Sequence, residues 1–237
     1  MTAHAIEFTS GAGAGTGWHG RLTEFGTRLA GRWRLGLVAK LERYGLLRDL
    51  AQNFAAPAAK IPLAVRPLDE RDLPALFGHV GAATELAERL EVAWRHAFIE
   101  KGARGGFVAI DERSNSPCYV QWVLSARDND FIKKLGGFPP LAADEALLEN
   151  AYTPPAYRGL GIMPAAMARI AERASDFGAR KVVTFVATDN IASLKGCQRA
   201  GFHPYLLHRR SRLGFGLLTR DRFEAFSEID PRRSLKF

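Results

Sequence analysis

The stretch that most constrains the fold is Tyr152-Thr-Pro-Pro-Ala-Tyr-Arg-Gly-Leu-Gly-Ile162. A short apolar segment, Leu147 to Ala151, leads into it, and a helical run, Ile162 to Phe177, leaves it. Strand, glycine-rich turn and helix in that order aim backbone N–H groups at an anion, at the positive end of the helix dipole. Arg158 stands in the turn, where a guanidinium would pair with a phosphate oxygen. Gly159 and Gly161 allow positive φ and close backbone approach. Pro154 and Pro155 stop strand pairing. Pro164 falls in the first helical turn, where its missing N–H costs nothing. The segment calls for a phosphate-bearing ligand.

The rest of the chain alternates between strand and helix signals. Strands are expected at Leu63–Pro67, Gly106–Asp111, Tyr119–Ser125, Leu147–Thr153 and Lys181–Thr188, the last rich in β-branched residues. Pro204–Arg209 and Phe215–Thr219 suggest a final hairpin. Helices are expected at Glu70–Val80 with Asp69 as cap, at Thr84–Ile99 with Thr84 as cap, at Ile162–Phe177 and at Ile191–Ala200. In the second of these, Leu86, Leu90, Ala93 and Ala97 share one face. Such mixing gives an α/β or α+β domain with a mixed sheet. The connection 126–146 is long, and long loops tend to carry function.

The N-terminal part reads differently. Residues 10–20 are glycine-rich and read as flexible. Gly15, Gly17 and Gly20 form a G-x-G-x-x-G without the strand and acidic partner that a dinucleotide site needs, so that reading is set aside. Leu22, Phe25, Leu29, Trp33, Leu37, Leu41 and Tyr44 fall at helical spacing among seven arginines and lysines, which predicts a basic amphipathic helix. Docking on the main domain or on a second copy, and a weak contact with an anionic membrane, are both open for it. Ala55 to Pro62 reads as a linker. The expected organisation is an extension over 1–60, a catalytic domain over 61–220 and a basic tail over 221–237.

Composition narrows the function. The net charge of +8 sits at the two ends, while residues 61–202 balance to zero. A nucleic-acid enzyme with a basic cleft is therefore not expected. Two cysteines suggest no disulfide framework, and neither a signal peptide nor a membrane span is evident, so the cytoplasm is the expected location.

Taken together, Tyr157-Arg158-Gly159-Leu160-Gly161-Ile162, the strand 181–188, Asn190-Ile-Ala-Ser193 and Gly201-Phe202 resemble the GNAT acyltransferase superfamily. Its cofactor turn reads Arg/Gln-x-x-Gly-x-Gly/Ala, and Gly-Phe follows the strand-end Asn by eleven and twelve residues, as here. The likeness covers roughly two-thirds of the chain. It implies a mostly antiparallel, twisted mixed sheet flanked by helices, with acyl-CoA, usually acetyl-CoA, as co-substrate and no metal.

It also implies roles. Amides of Arg158, Gly159, Leu160, Gly161, Ile162 and Met163 would surround the pyrophosphate. The pantetheine arm would add to the strand edge at Ala151, Tyr152 and Thr153. Asn190 would hydrogen-bond the pantetheine amides, and Ser193 would reach the cofactor; the bland reading of Asn190 is a helix cap.

Two positions depart from the pattern. Met163 replaces a small residue, so its side chain must point away from the phosphates. Cys197 stands where many members carry a proton-donating Tyr; a thiol of pKa about 8.5 replaces a phenol of about 10. Cys197 is read either as that acid or as a small buried hydrophobe.

Direct transfer to an amine needs a base. Glu149 on the strand before the turn is the first candidate, with Glu145 and Asp144 as rivals. The connection 126–148 and Trp122 are expected to shape the acceptor pocket. The acceptor reads as a small-molecule amine. Alternatives are a catalytically silent acyl-CoA sensor and a longer-chain acyltransferase at a membrane surface.

Overall fold

A computed structural model describes residues 38–81, 84–214 and 217–237. The Gly-rich start and the predicted helix up to residue 37 lie outside the described residues, as do residues 215 and 216 of the expected hairpin. The chain forms two compact units. Of the described residues, one comprises 38–42 with 209–214 and 217–222, and the other Arg43–His208 with Phe223–Phe237. In the described part of the smaller unit, Arg209 Nε meets Glu42 Oε1 at 2.8 Å and Arg210 Nε meets Asp221 Oδ1 at 2.8 Å.

The strands are β1 (Val38–Asp49), β2 (Leu63–Pro67), β3 (Gly106–Asp111), β4 (Ser116–Ser125), β5 (Glu145–Tyr152), β6 (Lys181–Ala187), β7 (His203–Leu213) and β8 (Leu218–Ala225). They form one sheet in the order β2-β3-β4-β5-β6-β1-β7-β8. The β2–β3, β3–β4, β4–β5 and β1–β6 pairs are antiparallel, and β5–β6 is parallel. The helices are α1 (Leu73–Phe77), α2 (Leu86–Glu100), α3 (Asn129–Leu135), α4 (Ile162–Arg173) and α5 (Ile191–Arg199). This is the mixed, mostly antiparallel architecture expected from the sequence.

Both faces of the sheet are covered, which explains why β4 and β6 are buried along nearly their whole length, Gln121 and Thr184 included. On one face Ala165, Ala166, Met167, Ala168 and Ile170 of α4 pack with Leu194 and Cys197 of α5 over Ala146, Leu148 and Val182. On the other, Leu76 and Phe77 of α1, Val92 and Phe98 of α2 and Ile132 of α3 cover Leu147, Val183 and Phe185.

Several expectations change. Residues 38–49 form a strand, not the end of a helix. Leu46 is buried, and Arg43 to Asp49 pair with Ala187 to Lys181; sheet pairing overrides a helix-compatible pattern. Gly45, which weakens a helix, is where Leu206 and Tyr205 crowd the backbone: an added Cβ would meet Leu206 Cδ1 at 2.7 Å.

Residues 51–62 carry no regular secondary structure, but they are packed and not a loose linker. Ile61 is buried and Lys60 N–H donates to Leu160 O at 2.8 Å. The tail is docked as well: Gln198 Nε2 donates to Leu235 O at 2.7 Å, and Phe237 lies 5.5 Å from Tyr44.

Asp69 caps the 3-10 turn Glu70–Asp72 through a capping box, and α1 follows it. Thr84 does not cap α2. Its Oγ1 accepts from Gly81 N–H, and Glu85 is the cap residue. The buried face of α2 is Val92, Arg95 and Phe98, while Leu86 is exposed. The connection after β4 is not a plain loop, since it holds the 3-10 turn Ala126–Asp128 and α3.

Candidate active site

Strands β5 and β6 pair only at Glu145↔Lys181, Ala146↔Val182 and Leu147↔Val183. β5 then runs on to Tyr152 and β6 to Ala187, so the two strands part after Leu147. The β4–β5 register shifts between Val120↔Tyr152 and Trp122↔Glu149, which leaves Asn150 and Ala151 opposite Gln121 alone. Asn150 takes φ 62°. A bulge of this kind bends a strand and frees backbone groups from the ladder.

The parted strand leads into the turn. Gly159 and Gly161 both adopt positive φ, 77° and 71°, and no atom lies within 4 Å of the space a Gly159 Cβ would fill. Gly161 is the N-cap residue of α4, and no side chain caps that helix end. Its first N–H groups are therefore left to a ligand or to water. Glycine is required at these φ values, so the sequence motif and the backbone agree. Met163 turns its side chain away from the turn and into the α4–α5 contact. Its Sδ fills the space where a Cβ on Gly196 would sit.

Arg158 is held by protein groups. Its Nη2 donates to Glu88 Oε2 at 2.6 Å and its Nε to Thr153 O at 3.0 Å. Tyr152 Oη donates to Glu88 Oε1 at 2.5 Å, and His79 Nε2 lies 3.2 Å from Tyr152 Oη. Burial pushes the Glu88 carboxyl up, but hydrogen bonds from Tyr152 and Arg158 outweigh it, and the net shift is downward. The neighbouring strand carbonyl, Ala151 O, accepts from Arg95 Nη2 at 2.7 Å, and Arg95 lies 5.1 Å from the centre of the Tyr152 ring. Two guanidinium groups thus occupy carbonyls at the end of the parted strand and just beyond it.

Glu149, opposite Trp122, is partly buried. Burial raises its pKa, against opposing pulls from Arg43, the Asn150 amide and Arg95. Arg43 donates from Nε to His208 Nδ1 at 3.2 Å and from Nη2 to Gly137 O; it lies over Phe138 at 4.7 Å and Phe185 at 5.4 Å. His208 is fully buried and stacks on Phe223 at 4.5 Å. The connection after β4 therefore reaches the surroundings of Glu149 through Gly137 and Phe138. Trp122 is buried under Phe98 at 5.3 Å.

The rival acids have local partners: Glu145 Oε2 accepts from Ala142 N–H at 3.0 Å, and Asp144 lies 3.8 Å from Lys181 Nζ.

On the opposite side of the site, Asn190 caps α5, its Oδ1 accepting from Ser193 N–H at 3.1 Å. Cys197 is 1% exposed, and burial pushes its thiol up to about 12. That placement suits the small hydrophobe. Tyr119 is fully buried, donates to Gln121 Oε1 at 2.7 Å, and has its pKa raised by burial and by Cys197. Among the described residues no group of His, Cys, Asp or Glu is arranged to hold a metal ion, and no helix is long and apolar enough to cross a membrane.

A family model described as an acetyltransferase (GNAT) domain matches residues 63–203. The chain belongs to the GNAT acetyltransferase family. No curated protein sequence matches it.

Solved structures share the GNAT fold at low identity. A GCN5-related N-acetyltransferase from Sphaerobacter thermophilus is 18% identical with a TM-score of 0.45, over 77% of this chain and 56% of its own. A GNAT-family acetyltransferase from Colwellia psychrerythraea is 13% identical with a TM-score of 0.46, over 80% and 57%. A glucosamine N-acetyltransferase region of a fungal multi-domain GH3 β-N-acetylglucosaminidase is 12% identical with a TM-score of 0.50, over 82% and 23%. This chain spans a little over half the length of the first two.

The GNAT elements run from β2 to the start of β7. Arg95, Glu88, Arg43 and Asn150 are site residues that the sequence did not single out. Only Arg95 left a signal, a charge among the apolar positions of α2.

Proposed function

We propose that this GNAT domain moves an acyl group, acetyl in the first instance, from acyl-CoA to the primary amine of a small-molecule acceptor by direct transfer. The observation that carries the reading is the parting of β5 from β6 after Leu147, two residues before Glu149, on a strand that runs into a left-handed glycine turn and an uncapped helix.

The co-substrate supplies an activated thioester. The chain supplies the rest. Amides from Arg158 to Met163 bind the diphosphate. Glu149, with its pKa raised by burial, takes the proton of the attacking amine. The connection carrying Gly137 and Phe138 borders the acceptor.

Binding and turnover test the proposal separately. Acetyl-CoA should raise the thermal midpoint of the chain, and a panel of small amines should include one that releases coenzyme A with a mass-detected N-acetyl product. Failure of every CoA ester to stabilise the chain would overturn the reading. Stabilisation without turnover would favour a silent acyl-CoA-binding module, the reading that the buried Cys197 supports.

A further inference from the structure

Asn150 is buried, 6% exposed, and neither its Oδ1 nor its Nδ2 has a hydrogen-bond partner. Burying a carboxamide unpaired is costly. The same residue holds φ 62°, a conformation that Asn tolerates better than most residues but still at a cost. Both costs fall on one residue of β5, three positions beyond its last pair with β6. Such coincidences gather where a ligand completes the site. Asn190, the other carboxamide of the site, has its Oδ1 committed to the cap of α5.

We propose that the Asn150 carboxamide positions the acyl donor by pairing with the two secondary amides of its pantetheine arm. The complement of an unpaired C=O beside an unpaired NH2 is a group with both an N–H and a C=O. A phosphate or carboxylate satisfies only Nδ2, and an ammonium only Oδ1. A trans secondary amide presents its N–H and C=O on opposite edges, so one amide satisfies either atom; the pantetheine arm carries two amides, and the N–H of one and the C=O of the other satisfy both. The inference rests on the acyl-CoA reading above. It adds a side-chain contact to the backbone contacts of the turn.

The test uses two ligands that differ only in the arm: coenzyme A, and 3′-phosphoadenosine 5′-diphosphate, which keeps the phosphates and lacks the arm. Asn150→Gly removes the carboxamide and accepts positive φ without strain. Asn150→Asp keeps the shape and loses the donor.

By calorimetric titration, both variants should bind coenzyme A about tenfold more weakly and the nucleotide unchanged. The unliganded Asn150→Gly chain should melt no lower than the parent, because it loses a burden and not a support. Equal losses for both ligands would place the effect in the turn and overturn the assignment, as would no loss for either. Parent chain that binds neither ligand overturns the acyl-CoA reading and this inference together. Parent chain that binds both, with the variants unchanged, overturns the role of Asn150 alone.

Discussion

The Arg158 guanidinium donates to Glu88 Oε2 at 2.6 Å, so the cation of the glycine turn is engaged by an internal carboxylate. Glu88 is 11% exposed on its side chain and Arg158 50%, so the pair sits at the edge of the solvent. A phosphate arriving at the turn competes with Glu88 for the same donors. Glu88→Gln should therefore tighten coenzyme A, by a few-fold to about tenfold, while Arg158→Ala weakens it. Titration of both variants checks this. Weaker binding in Glu88→Gln would show that the carboxylate organises the turn instead of competing in it.

The same carboxylate makes an acid-sensitivity prediction. Its folded pKa is depressed, so its contribution to stability is present above the unfolded value, about 4.3, and is lost as pH falls through the folded one. The stability difference between parent and Glu88→Gln should shrink between pH 5 and pH 3 in denaturant titrations.

Glu149 has the opposite sign. Its folded pKa is raised, chiefly by burial, so the folded state favours the protonated acid and stability falls as pH rises through that pKa. Glu149→Gln should raise the thermal midpoint at pH 7–8 while lowering kcat by about 10²- to 10⁴-fold, with coenzyme A affinity unchanged. A loss of both stability and activity would mark Glu149 as structural.

Arg43 pulls the Glu149 pKa down and holds Gly137. Arg43→Met should move the acid limb of the kcat/KM profile to higher pH and raise the acceptor KM. An acid limb that stays in place would separate Arg43 from the base.

Met163 and Gly196 should be coupled. Gly196→Ala places a methyl against Met163 Sδ and should cost about 1–3 kcal/mol in urea unfolding. Met163→Ala in that background should recover part of the loss, a non-additivity that a double-mutant cycle measures.

How much of this could be read beforehand follows the range of each interaction. The glycine turn was legible because its φ requirement is local: Gly159 and Gly161 carry it in their own backbone. β2 and β3 begin and end where the sequence placed them, since their short apolar runs and flanking turns are local too. β1 was not legible. Leu41, Tyr44 and the two leucines at 46 and 47 fit a helical stripe as well as a strand, and the choice is made by β6, more than 130 residues away. Arg95 and Glu88 escaped for the same reason: their partners Ala151 and Arg158 are 56 and 70 residues distant in sequence. Asn150 lay in the strand that leads into the motif and still gave no sign, because its lack of partners is a property of packing and not of residue type.

The alanines beneath the turn have a consequence for how this protein can vary. Ala165, Ala166, Ala168 and Ala171 are fully buried between α4 and the sheet, and the helix they seat carries the turn at its first residue. A larger side chain at any of them would lift the helix and tilt the ring of amides above it. Met163, the second residue of that helix, packs toward Gly196 of α5. The geometry of the turn is thus set from below: the hidden alanine floor fixes how closely the helix end that carries it can approach the sheet.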